Sequence, residues 1–145
     1  MEPFQGSVIL IRHADVTPHS AGDPDPDPSL NAAGVARARE LCHVLSHTGI
    51  GAILVTHFRR SRQTAEPLEQ VLGIAATVID EDAEVVAAIR TLAASSVPLV
   101  IGHSNTVPAI IAHLGGPSLP VMPATEFDNL FVLSSQRLTH LRYGA

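Results

Sequence analysis

The sequence predicts an α/β fold: a three-layer αβα sandwich around a mainly parallel sheet with an antiparallel edge strand. Three observations carry that expectation. Short apolar runs at 7–11, 51–55 and 97–101 are continuous rather than alternating, the pattern of strands buried on both faces. Segments with helical spacing lie between them, and alternation of strand and helix implies βαβ units. Near the end, two further apolar runs flank a short polar turn, as in a hairpin.

The elements follow in order. The first strand covers Ser7-Val8-Ile9-Leu10-Ile11. Asn31 then caps a helix whose Val35, Ala38, Leu41 and Leu45 recur at spacings of three and four. After the second strand, 51–55, Ser61 is expected to cap a helix through Leu68 and Val71 that Gly73 ends. A further strand is expected at 75–79 and a third helix at 82–93. The strand at 97–101 leads into a fourth helix, 106–114, stopped by Gly115-Gly116. The hairpin pairs 130–133 with 138–141 across Ser134-Ser135-Gln136. Alternating prolines in Asp23-Pro24-Asp25-Pro26-Asp27-Pro28 forbid a helix there and favour an extended, solvated loop.

At 145 residues and 46% apolar, the chain is expected to form one domain, 1–145, with a core that needs no disulfide staples. Its single cysteine, Cys42, has no internal partner, so a reducing, cytoplasmic setting is expected. No apolar run approaches the roughly 20 residues of a membrane span, and the first six residues lack the regions of a signal peptide. Nine arginines and no lysines stand against fourteen carboxylates, a net charge of −5 that repels polyanions. With 3% aromatic residues there is also little to stack bases on, so nucleic acid is not an expected partner.

In open α/β sheets ligands gather outside the carboxyl ends of the strands. The first run ends in Arg12-His13, the second leads through Thr56-His57-Phe58 into Arg59-Arg60-Ser61-Arg62, and the third ends in Gly102-His103-Ser104-Asn105. Three strand ends thus bring His13, His103 and several arginines to one edge of the sheet. A histidine after a strand is usually an ordinary loop residue, and these are singled out by their coincidence with Arg60. Three cations at one helix start also oppose the macrodipole, an unfavourable local choice that suggests an anionic ligand. A phosphoryl group fits, because arginine forks match phosphate geometry and helix N-termini add N–H donors. His43 and His47 have the spacing of a metal pair, but no Glu or Cys accompanies them, so no metal or cofactor is expected. His19, His113 and His140 read as structural or surface residues.

These residues resemble a known family. Leu10-Ile11-Arg12-His13-Ala14 is similar to the Arg-His signature of the histidine phosphatase superfamily, the phosphoglycerate mutase-like fold. Arg60-Ser61-Arg62-Gln63-Thr64-Ala65 resembles its second arginine motif and Gly102-His103-Ser104 its second histidine motif. Leu30-Asn31-Ala32-Ala33-Gly34 and Glu126-Phe127-Asp128-Asn129-Leu130 resemble segments of the small bacterial members. The resemblance implies that His13 is the nucleophile that accepts the phosphoryl group. It implies that Arg12, Arg60 and His103 bind the phosphoryl oxygens, with the Ser104 backbone adding an N–H. Glu84 lies near the family's proton-donor position by spacing, with Asp82 and Asp15 as competitors, and a site without any acid is a further reading because a leaving group such as imidazole needs little protonation. Thr56 and His57 stand where the family usually shows serine and proline; Thr56 reads as a rim contact and His57 stays open. Only about forty residues separate Arg60 from His103, so the chain resembles the compact, lidless members, among them phosphohistidine phosphatases.

Two function classes emerge. One is a metal-independent phosphatase hydrolysing phosphomonoesters or phosphoramidates through a phosphohistidine on His13, its partner a phosphorylated small molecule or a phosphohistidine protein. The other is a phosphate- or phosphoprotein-binding module with negligible turnover. A nucleotide-binding domain is a third reading, opposed by the lack of a glycine-rich turn after the first strand.

Overall fold

The computed structural model describes residues 3–17 and 26–144. His19 and residues 23–25 of the acidic proline run lie outside the described residues. The element order is β1 (Ser7–Arg12), α1 (Ala32–Leu45), β2 (Ile50–Val55), α2 (Arg59–Leu72), β3 (Thr77–Val78), α3 (Asp82–Leu92), β4 (Val97–Gly102), α4 (Thr106–His113), β5 (Asn129–Ser134) and β6 (Arg137–Arg142). The six strands form one sheet in the order β3-β2-β4-β1-β5-β6. β3, β2, β4 and β1 run parallel, and β5 and β6 add an antiparallel edge.

The continuous apolar runs do what their pattern implies. In β1, Val8 and Leu10 enter one core with α3 and α4, while Ile9 and Ile11 enter another with α1 and α2. β2 and β4 divide in the same way, Leu54 and Val100 joining the first core and Ile53, Val55, Leu99 and Ile101 the second. A strand flanked by helices on both faces has no solvent side to make polar, and that sets the three layers. Pro98 sits inside the central strand β4, where it cannot donate to the ladder, and the β2 register opposite it shifts between Ile50 and Ala52.

Asn31 caps α1 as its sequence suggests, its Oδ1 accepting the Gly34 N–H at 2.9 Å. Gly34 is buried where α1 crosses the segment that leaves β1, and a Cβ there would collide with the Asp15 carbonyl. Gly73 ends α2 in the left-handed conformation, φ 68°. Two sequence expectations need correction. α2 begins at Arg59 behind Phe58, so Ser61 is not its cap. Ser61 lies inside the helix, fully buried, and its hydroxyl is used elsewhere. The strand expected at 75–79 shortens to Thr77–Val78, because β3 is an edge strand that pairs with β2 over only two positions.

Candidate active site

Parallel strands that share a direction present their carboxyl ends together, so β1, β2 and β4 deliver their terminal residues to one place. A cavity of about 730 Å³ opens there. Arg12, His13, Thr56, His57, Arg60, His103 and Ser104 all line it, with Phe58 and Phe127 as aromatic walls.

His13 is held from three sides. Its backbone N–H donates to the Gly102 carbonyl at 2.9 Å, extending the β1–β4 pairing past the strand end. Its Nδ1 lies 2.8 Å from the Ala14 carbonyl, and the Arg60 Nε–H reaches its Nε2 at 3.2 Å. A carbonyl only accepts and a guanidinium only donates, so the ring is the neutral Nδ1–H tautomer with its lone pair on Nε2. Burial is the main cause that pushes its pKa down to about 3, with the charges of His103, Arg12 and Arg60 acting the same way. The ring is covered by its neighbours, the residue being only 3% exposed, and meets the cavity where Arg60 and His103 flank it. The His103 ring stands edge-on at 5.3 Å between centroids, and its Nε2 shares a 2.8 Å hydrogen bond with Thr56 Oγ1. Burial first, then Arg60 and Arg12, hold His103 down to about 4.

The two arginines differ. Arg12 Nη1 donates to three carbonyls, of Pro123 at 3.1 Å, Ala124 at 3.2 Å and Glu126 at 2.9 Å, and the guanidinium lies 4.1 Å over the Phe127 ring. Its Nε is buried with no acceptor. Arg60 is supported by Phe58, with 4.3 Å between guanidinium carbon and ring centroid, and its Nε is the donor to His13.

The rest of the second arginine motif ties α2 to the strand ends. The buried Ser61 hydroxyl donates to the Ile101 carbonyl at 2.8 Å and accepts the Thr56 N–H at 3.0 Å. Thr64 Oγ1 donates to the Arg60 carbonyl at 2.7 Å and accepts the Ala14 N–H at 2.9 Å. Gln63 accepts the Leu30 N–H at 2.8 Å.

A scan against family models matches the histidine phosphatase superfamily (branch 1) over residues 8–85. The chain belongs to the histidine phosphatase superfamily. Its mixed six-stranded sheet with four helices is the phosphoglycerate mutase-like fold. Among solved structures it is similar to the protein histidine phosphatase SixA in complex with tungstate, at 21% identity, TM-score 0.72 and 96% of each chain covered. It is also similar to a protein of Agrobacterium tumefaciens assigned as a phosphohistidine phosphatase SixA, at 25% identity and TM-score 0.68, covering 98% of this chain and 99% of that one. A mycobacterial glucosyl-3-phosphoglycerate phosphatase matches at 17% identity and TM-score 0.67, over 97% and 99% of the two chains. No curated protein matches the sequence. Membership makes the chain a phosphate-hydrolysing enzyme.

Within this histidine phosphatase the three acid candidates fall in different places. Asp82 lines the cavity. Glu84, on the same helix, is exposed and outside the cavity wall. Asp15 is engaged with Arg37, its Oδ1 2.6 Å from Nε. A carboxylate that sequence reasoning missed, Asp80, does line the cavity. It stands directly after the run 75–79, the same position relative to a strand that singles out His13 and His103. Among the described residues no group of three His, Cys, Asp or Glu is placed to hold a metal, and no helix is long and apolar enough to cross a membrane.

Proposed function

We propose that the enzyme hydrolyses phosphomonoesters or phosphoramidates, without a metal, by double displacement at His13. The observation that carries this reading is the tautomer of His13: Nδ1–H is committed to Ala14, so the lone pair stands on Nε2 beside Arg60. Deep burial keeps that nitrogen unprotonated far below neutral pH, as a nucleophile requires.

In the structure Arg60 donates to the same lone pair. A phosphoryl group entering the cavity offers the guanidinium stronger, charged acceptors, so Arg60 moves onto the oxygens and frees Nε2 for in-line attack. Arg12 contributes its buried Nε–H, for which a phosphoryl oxygen is a suitable acceptor. His103 and the Ser104 backbone complete the cradle. Phosphoryl transfer needs positioning and charge stabilisation above all, and two guanidinium groups in a half-enclosed cavity supply both. Water then attacks the phosphohistidine and regenerates His13. Phosphorylated small molecules and phosphohistidine proteins are the substrate classes this chemistry serves, in a cytoplasmic setting.

Rapid quenching with a phosphorylated substrate tests the reading. It should trap a protein adduct stable to base and lost in mild acid, as expected of a phosphoramidate. Turnover should survive dialysis against EDTA. Turnover without such an adduct, or turnover restored only by an added divalent metal, would overturn it.

A further inference from the structure

Outside the residues proposed to hold the phosphoryl group, the cavity holds a histidine–carboxylate pair. His57 and Asp80 both line the wall, at the ends of β2 and β3. Asp80 Oδ1 accepts two hydrogen bonds from one residue, the His57 backbone N–H and the His57 Nδ1–H, each at 2.8 Å. The double contact fixes the loop and the ring together. Phe58 packs against that ring, 4.0 Å between centroids, and in turn meets the His103 ring at 5.3 Å. His57 Nε2 has no hydrogen-bond partner among the described residues. The titratable and charged neighbours are Asp80, Asp82 on the cavity wall, the neutral His103, and Arg62, whose Nε donates to the His57 carbonyl at 3.1 Å.

We infer that His57, oriented by Asp80, is the proton donor to alkoxide leaving groups, and that this extends the enzyme's reach to unactivated phosphomonoesters. The inference rests on His13 as nucleophile. In the first displacement the P–O bond to the leaving group breaks as the Nε2–P bond forms on His13. The His57 imidazolium gives its Nε2 proton to the departing oxygen, so an alcohol leaves and His57 becomes neutral. In the second displacement His57 Nε2 takes one proton from the attacking water, inorganic phosphate leaves, and both histidines return to their starting states. An imidazole whose Nδ1–H is fixed on a carboxylate can both give and take a proton through Nε2, which suits this role. Asp80 stays ionised throughout, since the hydrogen bonds from the His57 backbone and ring hold its carboxyl below the usual carboxylate range. Exposed Glu84 is not needed for this step.

The test is a series of phosphomonoesters running from p-nitrophenyl phosphate to glycerol phosphate, with wild type, His57→Asn, Asp80→Asn and Asp82→Asn. In His57→Asn the ratio of kcat/KM on glycerol phosphate to that on p-nitrophenyl phosphate should fall by about 100-fold, the usual scale of general acid catalysis. Asp80→Asn should lower the same ratio by a smaller factor, as a positioning residue does. Both side chains are largely solvent-facing, 60% and 45% exposed, so the melting temperature should not move. Equal losses on both substrates in His57→Asn, or an unchanged ratio, would overturn the inference. So would a fall of the ratio confined to Asp82→Asn. An acid-labile adduct still formed by His57→Asn on p-nitrophenyl phosphate keeps such a failure separate from a failure of the His13 mechanism.

Discussion

Along the inner wall of the cavity, where β1 and β4 end, Arg12 and His13 are buried and tied to backbone carbonyls and His103 is half-buried; along the outer wall, where β2 and β3 end, His57 and Asp80 are exposed and tied to one another. His13 and His103 are pushed down to about 3 and about 4 by burial and sit among carbonyls and guanidinium groups. His57 and Asp80, on the outer side, face solvent. The inner wall therefore fixes geometry and keeps its imidazoles neutral, while the outer wall presents a solvent-exposed histidine–carboxylate pair. On the proposed mechanism, one site holds a nucleophile and a proton shuttle of the same residue type because their surroundings differ.

The hardest way to break that contrast is His13→Ala, which should abolish turnover and adduct alike, while phosphate binding measured by calorimetry falls less because Arg12, Arg60 and His103 remain. Arg60→Ala should cost about 10²–10³ in kcat and weaken phosphate binding as well, since the guanidinium serves ground and transition states.

The pH dependence of stability separates the walls further. His13 folds with a pKa below its unfolded value, so the unfolded chain binds more protons between pH of about 6.5 and 3. Its contribution is fully present above that window and is lost as pH falls through it. Denaturant titrations should show wild type losing on the order of 3 kcal/mol from this residue between pH 7 and 4, and His13→Gln a flatter slope. A slope unchanged in His13→Gln would mean the inner wall is not what opposes protonation. Thr64→Val should cost about 1–2 kcal/mol, because it leaves the Ala14 N–H without its acceptor, and should lower kcat several-fold by loosening the segment after His13. Away from the cavity, Arg59→Ala removes a 3.7 Å pair with Asp27 at a largely exposed site and should change stability by less than about 0.5 kcal/mol.

The inner wall is the more legible in sequence. Arg12, His13 and His103 follow unbroken apolar runs, and such runs announce both the strand and the point where it stops. The outer wall is harder to read. The run 75–79 does announce a strand before Asp80, but β3 keeps only the exposed Thr77–Val78 of it, and a carboxylate does not announce itself as part of an anion site. Ser61 misleads for another reason: serine near a helix start reads as a cap, whereas here burial against β4 gives its hydroxyl a partner distant in the chain, the Ile101 carbonyl. Glu84 shows the limit of spacing as a guide, since two residues beyond Asp82 on α3 the helix surface has already turned away from the cavity to solvent. Contacts that span the chain, such as Thr64 to Ala14, leave no periodic trace at all.

Arg12 holds the segment that enters β5 by the carbonyls of Pro123, Ala124 and Glu126 rather than by their side chains. Every residue type offers a carbonyl, so this tether survives substitution at all three positions provided the path of the chain is kept. Insertions or deletions between Leu119 and Phe127 would instead carry the acceptors out of reach and release the guanidinium. Over evolutionary time that segment is free to drift in sequence and constrained in length, and a comparison of residue identities alone would pass over one of the firmest attachments of the site.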